Sequence, residues 1–481
     1  MLLLVPATYV LYTLWQRGGI RAQADNPFSD PLTFLGPTLF SLGLVLLFLR
    51  LWPVLMRIAS GIVNYSNSIA LLMALRELTR SIGRYRGTLL MMGFTLSLMG
   101  FTASMASTLD LSLADSVSYR IGADAVIVTA VDAQTEQGET TEAGQQTINV
   151  TGFNILPPDD LLTIPGVEQV SRVGRFPARL VLPGQRLEGT VLGVDRAAIA
   201  AVTRSRADYA PEPYADLFNH LAGNRNGIIL SMKTAEDYSL RINQEVELQI
   251  SALNEWYETT VPIIGVTDYF PTLNPNNGFF VITNLDPLFE LVGTPLPHDY
   301  WLSLTPDADL TVVQQGARGL GFPVIELRDP EGALRAAMAS PSRRGVLGFL
   351  SVGFIASVVL TLVSAIVQST AAFRAQATQL GSLRAMGLGG LSVGIYLILL
   401  QGMAAASGIL SGTSIGVATT LLFLPLLDFS DGLPPYLVRV AWSDIALVYA
   451  IFAGILFFVT LLTTLLMSRE RLTTIVKLGD A

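Results

Sequence analysis

Phe373-Arg374-Ala375-Gln376-Ala377-Thr378-Gln379-Leu380-Gly381-Ser382-Leu383-Arg384-Ala385-Met386-Gly387 is a short basic segment caught between two long uncharged apolar runs, Val346 to Val367 and Leu391 to Leu427. Each run exceeds the roughly 20 apolar residues that a bilayer crossing requires. The segment between them reads as a docking element, and the protein works across a membrane.

Composition agrees. Of 481 residues, 51% are hydrophobic and only 14% charged, against about 25% charged in an ordinary soluble domain. The apolar surplus is uneven: from Ala123 to Arg343 the density of Asp, Glu, Asn, Pro and Gly is that of a water-soluble domain. The formal net charge of -8 argues against nucleic-acid binding, which needs clustered Lys and Arg. With no cysteine, the chain has neither disulfides nor thiolate metal sites.

Apolar spans are expected at Leu2 to Trp15, Leu32 to Leu49, Thr88 to Leu109, Val346 to Val367, Leu391 to Leu427 and Ile445 to Met467. The first is short and contains Pro6, so it is either a truncated helix or a signal-like segment. Arg50, Arg57, Arg76, Arg80, Arg84 and Arg86 cluster between the second and third spans. Arg374 and Arg384 separate the fourth and fifth, and Arg469, Arg471 and Lys477 follow the sixth. Because cytoplasmic flanks hold the excess of Lys and Arg, these flanks are assigned inside and the soluble domain outside.

The fold class expected is therefore an α-helical membrane protein of about six transmembrane helices, with one large exported α+β domain inserted between the third and fourth. Its parts are two leading helices (1–58), a cytoplasmic amphipathic elbow helix (59–87), a transmembrane helix (88–110), the exported domain (111–343), a three-helix permease domain (344–467) with a loop at 373–390, and a cytoplasmic tail (468–481). The elbow rests on Leu71, Leu75, Leu78 and Ile82 on one face with Arg76, Arg80 and Arg84 on another. Its alternative is a plain extension of the third span.

Within the soluble domain, Glu245 to Ile250 alternates with Val246, Leu248 and Ile250 on one face, and Val261 to Val266 and Phe279 to Thr283 are compact β-rich runs. Asp195 to Arg206 and Leu310 to Leu320 have helical spacing, so the domain is α+β with mostly short strands. Thr135 to Gly144 has little to bury and reads as a mobile hairpin tip or loop. In the fifth span, Gly408, Gly412 and Gly416 recur every four residues beside Ser407 and Ser411. Such a stripe lets another helix approach closely, although glycine is also simply common in membrane helices.

No catalytic, cofactor or metal site is expected. A phosphate loop needs a lysine in G-x-x-x-x-G-K-[ST], and Lys233 and Lys477, the two lysines of the chain, lie in no such motif. Gly412-Thr413-Ser414-Ile415-Gly416 matches G-x-S-x-G, but inside a membrane helix it lacks the strand-to-helix elbow that exposes a nucleophile. His220 and His298 are far apart and read as surface or turn residues. Phe270, Phe279, Phe280 and Trp301 are candidates to touch cargo, although aromatic residues in a β-rich domain are more often core. The spans hold no ionisable residue in their interiors, unlike most ion-coupled transporters. Energy then enters from elsewhere.

The arrangement of one span, an exported α+β domain and three spans with a basic loop after the first resembles the FtsX-like, MacB-type permeases of ABC transporters. Leu75-Arg76-Glu77-Leu78-Thr79-Arg80, Gly122-Ala123-Asp124, Ile164-Pro165-Gly166-Val167 and Leu383-Arg384-Ala385-Met386-Gly387 carry the resemblance. It implies a multi-pass protein of the plasma (inner) membrane with the large domain extracytoplasmic. A separate ABC ATPase subunit would bind ATP below, docking on Arg374, Gln379, Leu380, Leu383, Arg384 and Gly387. The chain resembles the C-terminal repeat of a long two-repeat permease, so its further partner is a second repeat or a second copy. The resemblance implies mechanical transmission that exports or releases a lipid-, lipoprotein- or peptide-like cargo. The alternatives are a cargo-free regulator of an envelope enzyme and a membrane-anchored sensor or adhesion protein. The glutamines Gln376, Gln379 and Gln401 stand where family members often carry an acidic residue.

Overall fold

The structure is a computed structural model that describes residues 8–9, 12, 15–16, 31–63, 76–78, 82–129, 133–140, 146–153, 155, 157–321, 324–341, 344–345, 348, 350–360, 362–363, 366–367, 390–426 and 433–469. The chain divides into two compact units, Met1–Ser112 with Ser340–Ala481, and Leu113–Ala339.

The first unit is helical. It contains α1 (Pro31–Val63) and the larger part of α2 (Ile82–Ile121). After the second unit come α10 (Leu350–Leu360), α11 (Gly390–Phe423) and α12 (Trp442–Arg469). Three stretches among the described residues, Leu35–Gly61, Tyr85–Ile121 and Gly402–Phe423, are long and apolar enough to cross a membrane, and Leu350–Leu360 and Trp442–Ile455 are shorter apolar helices. The expected span at Leu2 to Trp15 lies almost wholly outside the described residues. The expected span Leu32 to Leu49 lies in a helix that continues to Val63 through Pro53 and Arg57. A charge ends an apolar stretch, but it does not end a helix, whose backbone bonds continue regardless. At 40 residues, α2 is about 60 Å long, roughly twice the hydrocarbon thickness of a bilayer.

Apolar side chains of α1, α2, α11 and α12 pack the core of this unit. Phe40, Phe101, Phe423 and Leu424 form one cluster, and Leu49, Trp52, Leu78, Tyr85, Leu89, Leu400 and Ala404 another. Leu96, Met99 and Val448 form a third. Leu78 is completely buried in the second cluster, and residues 82–86 belong to the first turns of α2. Of the expected elbow, 64–75 and 79–81 lie outside the described residues. Val352, Ile355, Leu410, Leu447, Phe457 and Phe458 are exposed, as lipid-facing residues are.

The second unit continues from the end of α2 into β1 (Ala125–Thr129) and the hairpin β2 (Ala133–Thr140) and β3 (Gln146–Phe153). Next come α3 (Pro158–Leu161), β4 (Val167–Leu182), β5 (Gln185–Val194), α4 (Ile199–Val202), α5 (Tyr214–Gly223), β6 (Ile228–Ser231) and α6 (Met232–Asp237). β7 (Glu245–Ala252), β8 (Glu255–Thr267), β9 (Phe279–Asn284), α7 (Leu285–Val292), β10 (Asp299–Leu304), α8 (Leu310–Gly319), β11 (Val324–Arg328) and α9 (Pro330–Met338) complete it.

The main sheet runs β11-β1-β10-β4-β5-β9-β6-β8-β7, and β7 pairs back onto β4 from Ala178↔Ile250 to Val181↔Glu247. Strands β4, β5, β9, β6, β8 and β7 therefore close a ring whose interior holds Leu180, Val191, Leu230, Leu248, Ile263 and Val281. Closure leaves these six strands no free edge within the ring. At 16 residues, β4 serves two lobes. Its first half pairs with β10 beside a second core of Ala125, Ile127, Ile164, Val170, Tyr300, Leu302 and Val313.

Three expectations are corrected here. Thr135 to Thr140 is strand, paired through Thr135↔Val150 and Gln137↔Ile148, because backbone pairing needs no apolar surplus; 141–144 lie outside the described residues. Of Asp195 to Arg206 only Ile199–Val202 is helix. Asp195 is held instead at the end of β5 by the backbone N–H and guanidinium of Arg172, and Thr203 is extended. The strands are also longer than expected, β8 reaching 13 residues.

Candidate functional site

The six residues expected to dock an ATPase, Arg374, Gln379, Leu380, Leu383, Arg384 and Gly387, lie outside the described residues. Two built features are described, one in each unit.

In the helical unit, Gly408, Gly412 and Gly416 of α11 face α2. A Cβ on Gly408 would stand 3.1 Å from Met92 Cε, one on Gly412 2.7 Å from Leu96 Cβ, and one on Gly416 2.9 Å from the Ser97 carbonyl oxygen. The stripe thus brings the two backbones together, most tightly at Gly416. Where they meet, Ser97 Oγ lies 3.1 Å from Ser41 Oγ of α1, which lies 3.1 Å from Thr419 Oγ1 of α11. These hydroxyls are buried, and in an apolar medium a hydroxyl without a partner is costly. Three helices are therefore joined at one polar point. Nearby, Thr413 Oγ1 and the Tyr449 hydroxyl of α12 are 2.6 Å apart.

In the second unit, the last turns of α2 are gripped by two loops. Asp115 and Tyr119, one helical repeat apart, share a face of α2. Arg206 Nη1 donates to Asp115 at 2.5 Å, while Nε and Nη2 donate to both oxygens of Asp208 at 2.8 and 2.6 Å. Its guanidinium stands 5.1 Å from the Tyr209 ring centroid. Burial works against the charge on Arg206, but the bonds to Asp208 and Asp115 outweigh it and raise its pKa; the bond from Arg206 lowers that of Asp208. The Tyr119 ring meets the Tyr209 ring edge-on at 5.5 Å, and its hydroxyl donates to the Leu273 carbonyl at 2.6 Å. The Tyr119 carbonyl also accepts from the Thr272 N–H, and the Tyr209 carbonyl accepts from Asp268 and Tyr269 N–H. The loop after β8 and the segment after α4 are thereby tied to one face of α2.

Residues that carried the family resemblance take structural roles here. Asp124 receives Arg204 Nε at 2.7 Å and the Leu304 N–H at 3.0 Å. The Thr305 N–H donates to the Gly166 carbonyl. Phe270, Phe279, Phe280 and Trp301 are buried, which answers the question of core or cargo contact in favour of core. His298 corrects its expectation: it is 7% exposed, between Phe289 and Tyr300. His220 lies half-exposed, 3.7 Å from Glu212. Among the described residues no group of three or more His, Cys, Asp or Glu is placed to hold a metal ion. The grip on α2 was not expected from sequence; Arg206-Ala207-Asp208-Tyr209 offered a local hint, but Asp115 and Tyr119 are distant in the chain.

No family model and no curated protein matches the chain. Among solved structures, the periplasmic region of MacB from Actinobacillus actinomycetemcomitans is similar at TM-score 0.28 and 8% identity, over 46% of this chain and 95% of that one. The extracellular domain of the noncanonic ABC-type transporter YknZ from Gram-positive bacteria is similar at TM-score 0.25 and 15% identity, over 36% of this chain and 89% of that one. Both likenesses are partial and at low TM-score.

Proposed function

We propose that this chain is the membrane-spanning permease subunit of an ABC transporter of the FtsX-like, MacB-type kind, with unit Leu113–Ala339 on the extracytoplasmic side of the plasma (inner) membrane. A separate ATPase subunit binds residues 373–390, and its ATP-driven closure moves the exported unit to export or release a lipid-, lipoprotein- or peptide-like cargo. The chain itself hydrolyses nothing and holds no cofactor. It works beside a second permease repeat or a second copy.

One observation carries this reading: a large α+β unit is inserted between apolar helices, and a basic segment follows it between two uncharged apolar runs. A protein that only anchors a sensor has no use for such a segment. With no phosphate-loop lysine and no ionisable residue inside the apolar runs expected from the sequence, the chain needs an external source of energy.

Affinity purification from membranes tests the reading. An ABC ATPase is expected to copurify, and Arg384→Glu is expected to release it. Purification without any nucleotide hydrolase, together with an Arg384→Glu chain that keeps full function, overturns the proposal. An ATPase that copurifies with a chain unable to move labelled lipid or peptide favours regulation of an envelope enzyme over transport.

A further inference from the structure

The backbone joining α2 to β1 passes through Gly122 at φ +89°, a left-handed conformation suited to glycine. Its N–H donates to the Ser118 carbonyl and its carbonyl accepts from the Arg204 N–H, both at 2.8 Å. The side-chain contacts around this turn add to that backbone link in carrying rotation or tilt of the last turns of α2 to the sheet.

Two sets of contacts do so: Tyr119 bonds to Leu273 and Thr272, and Asp115 bonds to the guanidinium of Arg206. Arg206 is oriented by the two-pronged bond to Asp208 and by the face of Tyr209, which leaves Nη1 for Asp115 on α2. Tyr209 continues the path, since its carbonyl accepts from Asp268 and Tyr269 N–H at 3.0 and 2.9 Å and from Thr267 Oγ1 at 3.1 Å, at the end of β8 in the closed ring. The two-pronged bond to Asp208 fixes the plane of the guanidinium, so Nη1 is held in line with Asp115 and the contact is directional in a way that an apolar one is not.

Resting on the permease reading above, we propose that Arg206 is a positioning residue that fastens the last turns of α2 to the ring of strands, so that motion of α2 moves the exported unit. Arg172 is the matched control. It pairs with two carboxylates, Asp195 and Asp286, and its side chain is 22% exposed against 20% for Arg206, but its partners lie just after β5 and on α7 and not on α2.

Hydrogen exchange of the full chain in lipid discs tests the fastening without any ATPase. Arg206→Gln is expected to speed exchange over 113–122 at least tenfold and Arg206→Lys by less, whereas Arg172→Gln leaves that segment as in wild type. Asp115→Asn added to Arg206→Gln is expected to change nothing further. Unchanged exchange in Arg206→Gln, or equal acceleration by Arg172→Gln, overturns the proposal.

Spin-label distances across the exported unit, measured with the copurified ATPase and ATP, test the transmission. The ATP-dependent distance change is expected to fall at least tenfold in population in Arg206→Gln while hydrolysis continues. A wild-type chain that shows no such change sinks the permease reading. A wild type that responds beside an Arg206→Gln chain that responds equally sinks this inference alone.

Discussion

Gly122 lies directly against the indole of Trp301: a Cβ at Gly122 would stand 2.8 Å from Cζ3, closer than real atoms approach. The same glycine sits at φ +89° and its carbonyl accepts the Arg204 N–H at 2.8 Å. Trp301 is stacked on Phe270 and 3% exposed, so it has little room to retreat. Gly122→Ala therefore combines left-handed strain of about 1 kcal/mol with overpacking of about 1–3 kcal/mol. Thermal unfolding should show a loss of that order, and Trp301→Phe in the Gly122→Ala background should recover part of it. A melting temperature unchanged by Gly122→Ala would contradict the contact.

The stripe on α11 predicts a graded series. At Gly408 the obstacle is the flexible end of Met92, whereas at Gly416 it is the Ser97 backbone and at Gly412 Leu96 Cβ together with the Gly93 carbonyl. A side chain can swing away, but a backbone moves only with its helix. Gly408→Ala is expected to cost under about 1 kcal/mol, and Gly412→Ala and Gly416→Ala about 1–3 kcal/mol each. Thermal aggregation of the solubilised protein would rank them, and a Gly408 variant weaker than the Gly416 variant would reverse the expectation.

Ser41, Ser97 and Thr419 predict a smaller, coupled effect. Interhelical hydrogen bonds in membranes contribute about 0.6 kcal/mol on average, so Ser97→Ala and Thr419→Val are each expected to cost about that much. Because both bond to Ser41, Ser41→Ala should cost more than either and leave little for a second substitution to remove. Additive losses in a double-mutant cycle would show that the three hydroxyls act independently.

What could be read from the chain was local. The period-two pattern of Glu245 to Ile250 identified β7. Long-range closure was hidden: nothing near Ala178 to Val181 announces a partner at Glu247 to Ile250. The grip of Arg206 on Asp115 was hidden for the same reason, since opposite charges far apart in sequence declare no pairing until the fold joins them. Thr135 to Thr140 misled because strand pairing is a property of the backbone. His298 misled because its polar type outweighed its apolar neighbours Leu296 and Tyr300.

His298 gives the pH dependence. Its Nδ1 lies 2.8 Å from the Leu296 carbonyl, which can only accept, so Nδ1 carries the proton and Nε2 the lone pair. Nε2 is buried with no hydrogen-bond partner among the described residues, and a second proton there would place a charge among Phe289 and Tyr300. Burial therefore lowers the pKa below 6.5, with Arg172 adding to the effect and the bond to Leu296 and the charge of Asp195 opposing it. As pH falls below 6.5, the unfolded chain takes up a proton that the folded chain refuses, so stability drops by about 1.4 kcal/mol for each unit of pKa difference and levels off below the folded pKa. Unfolding of the wild type at pH 7.5 and pH 5 should show the loss, and His298→Phe should flatten it between those values. If the variant keeps the wild-type slope, the acid sensitivity belongs to other groups and the buried imidazole is not its source.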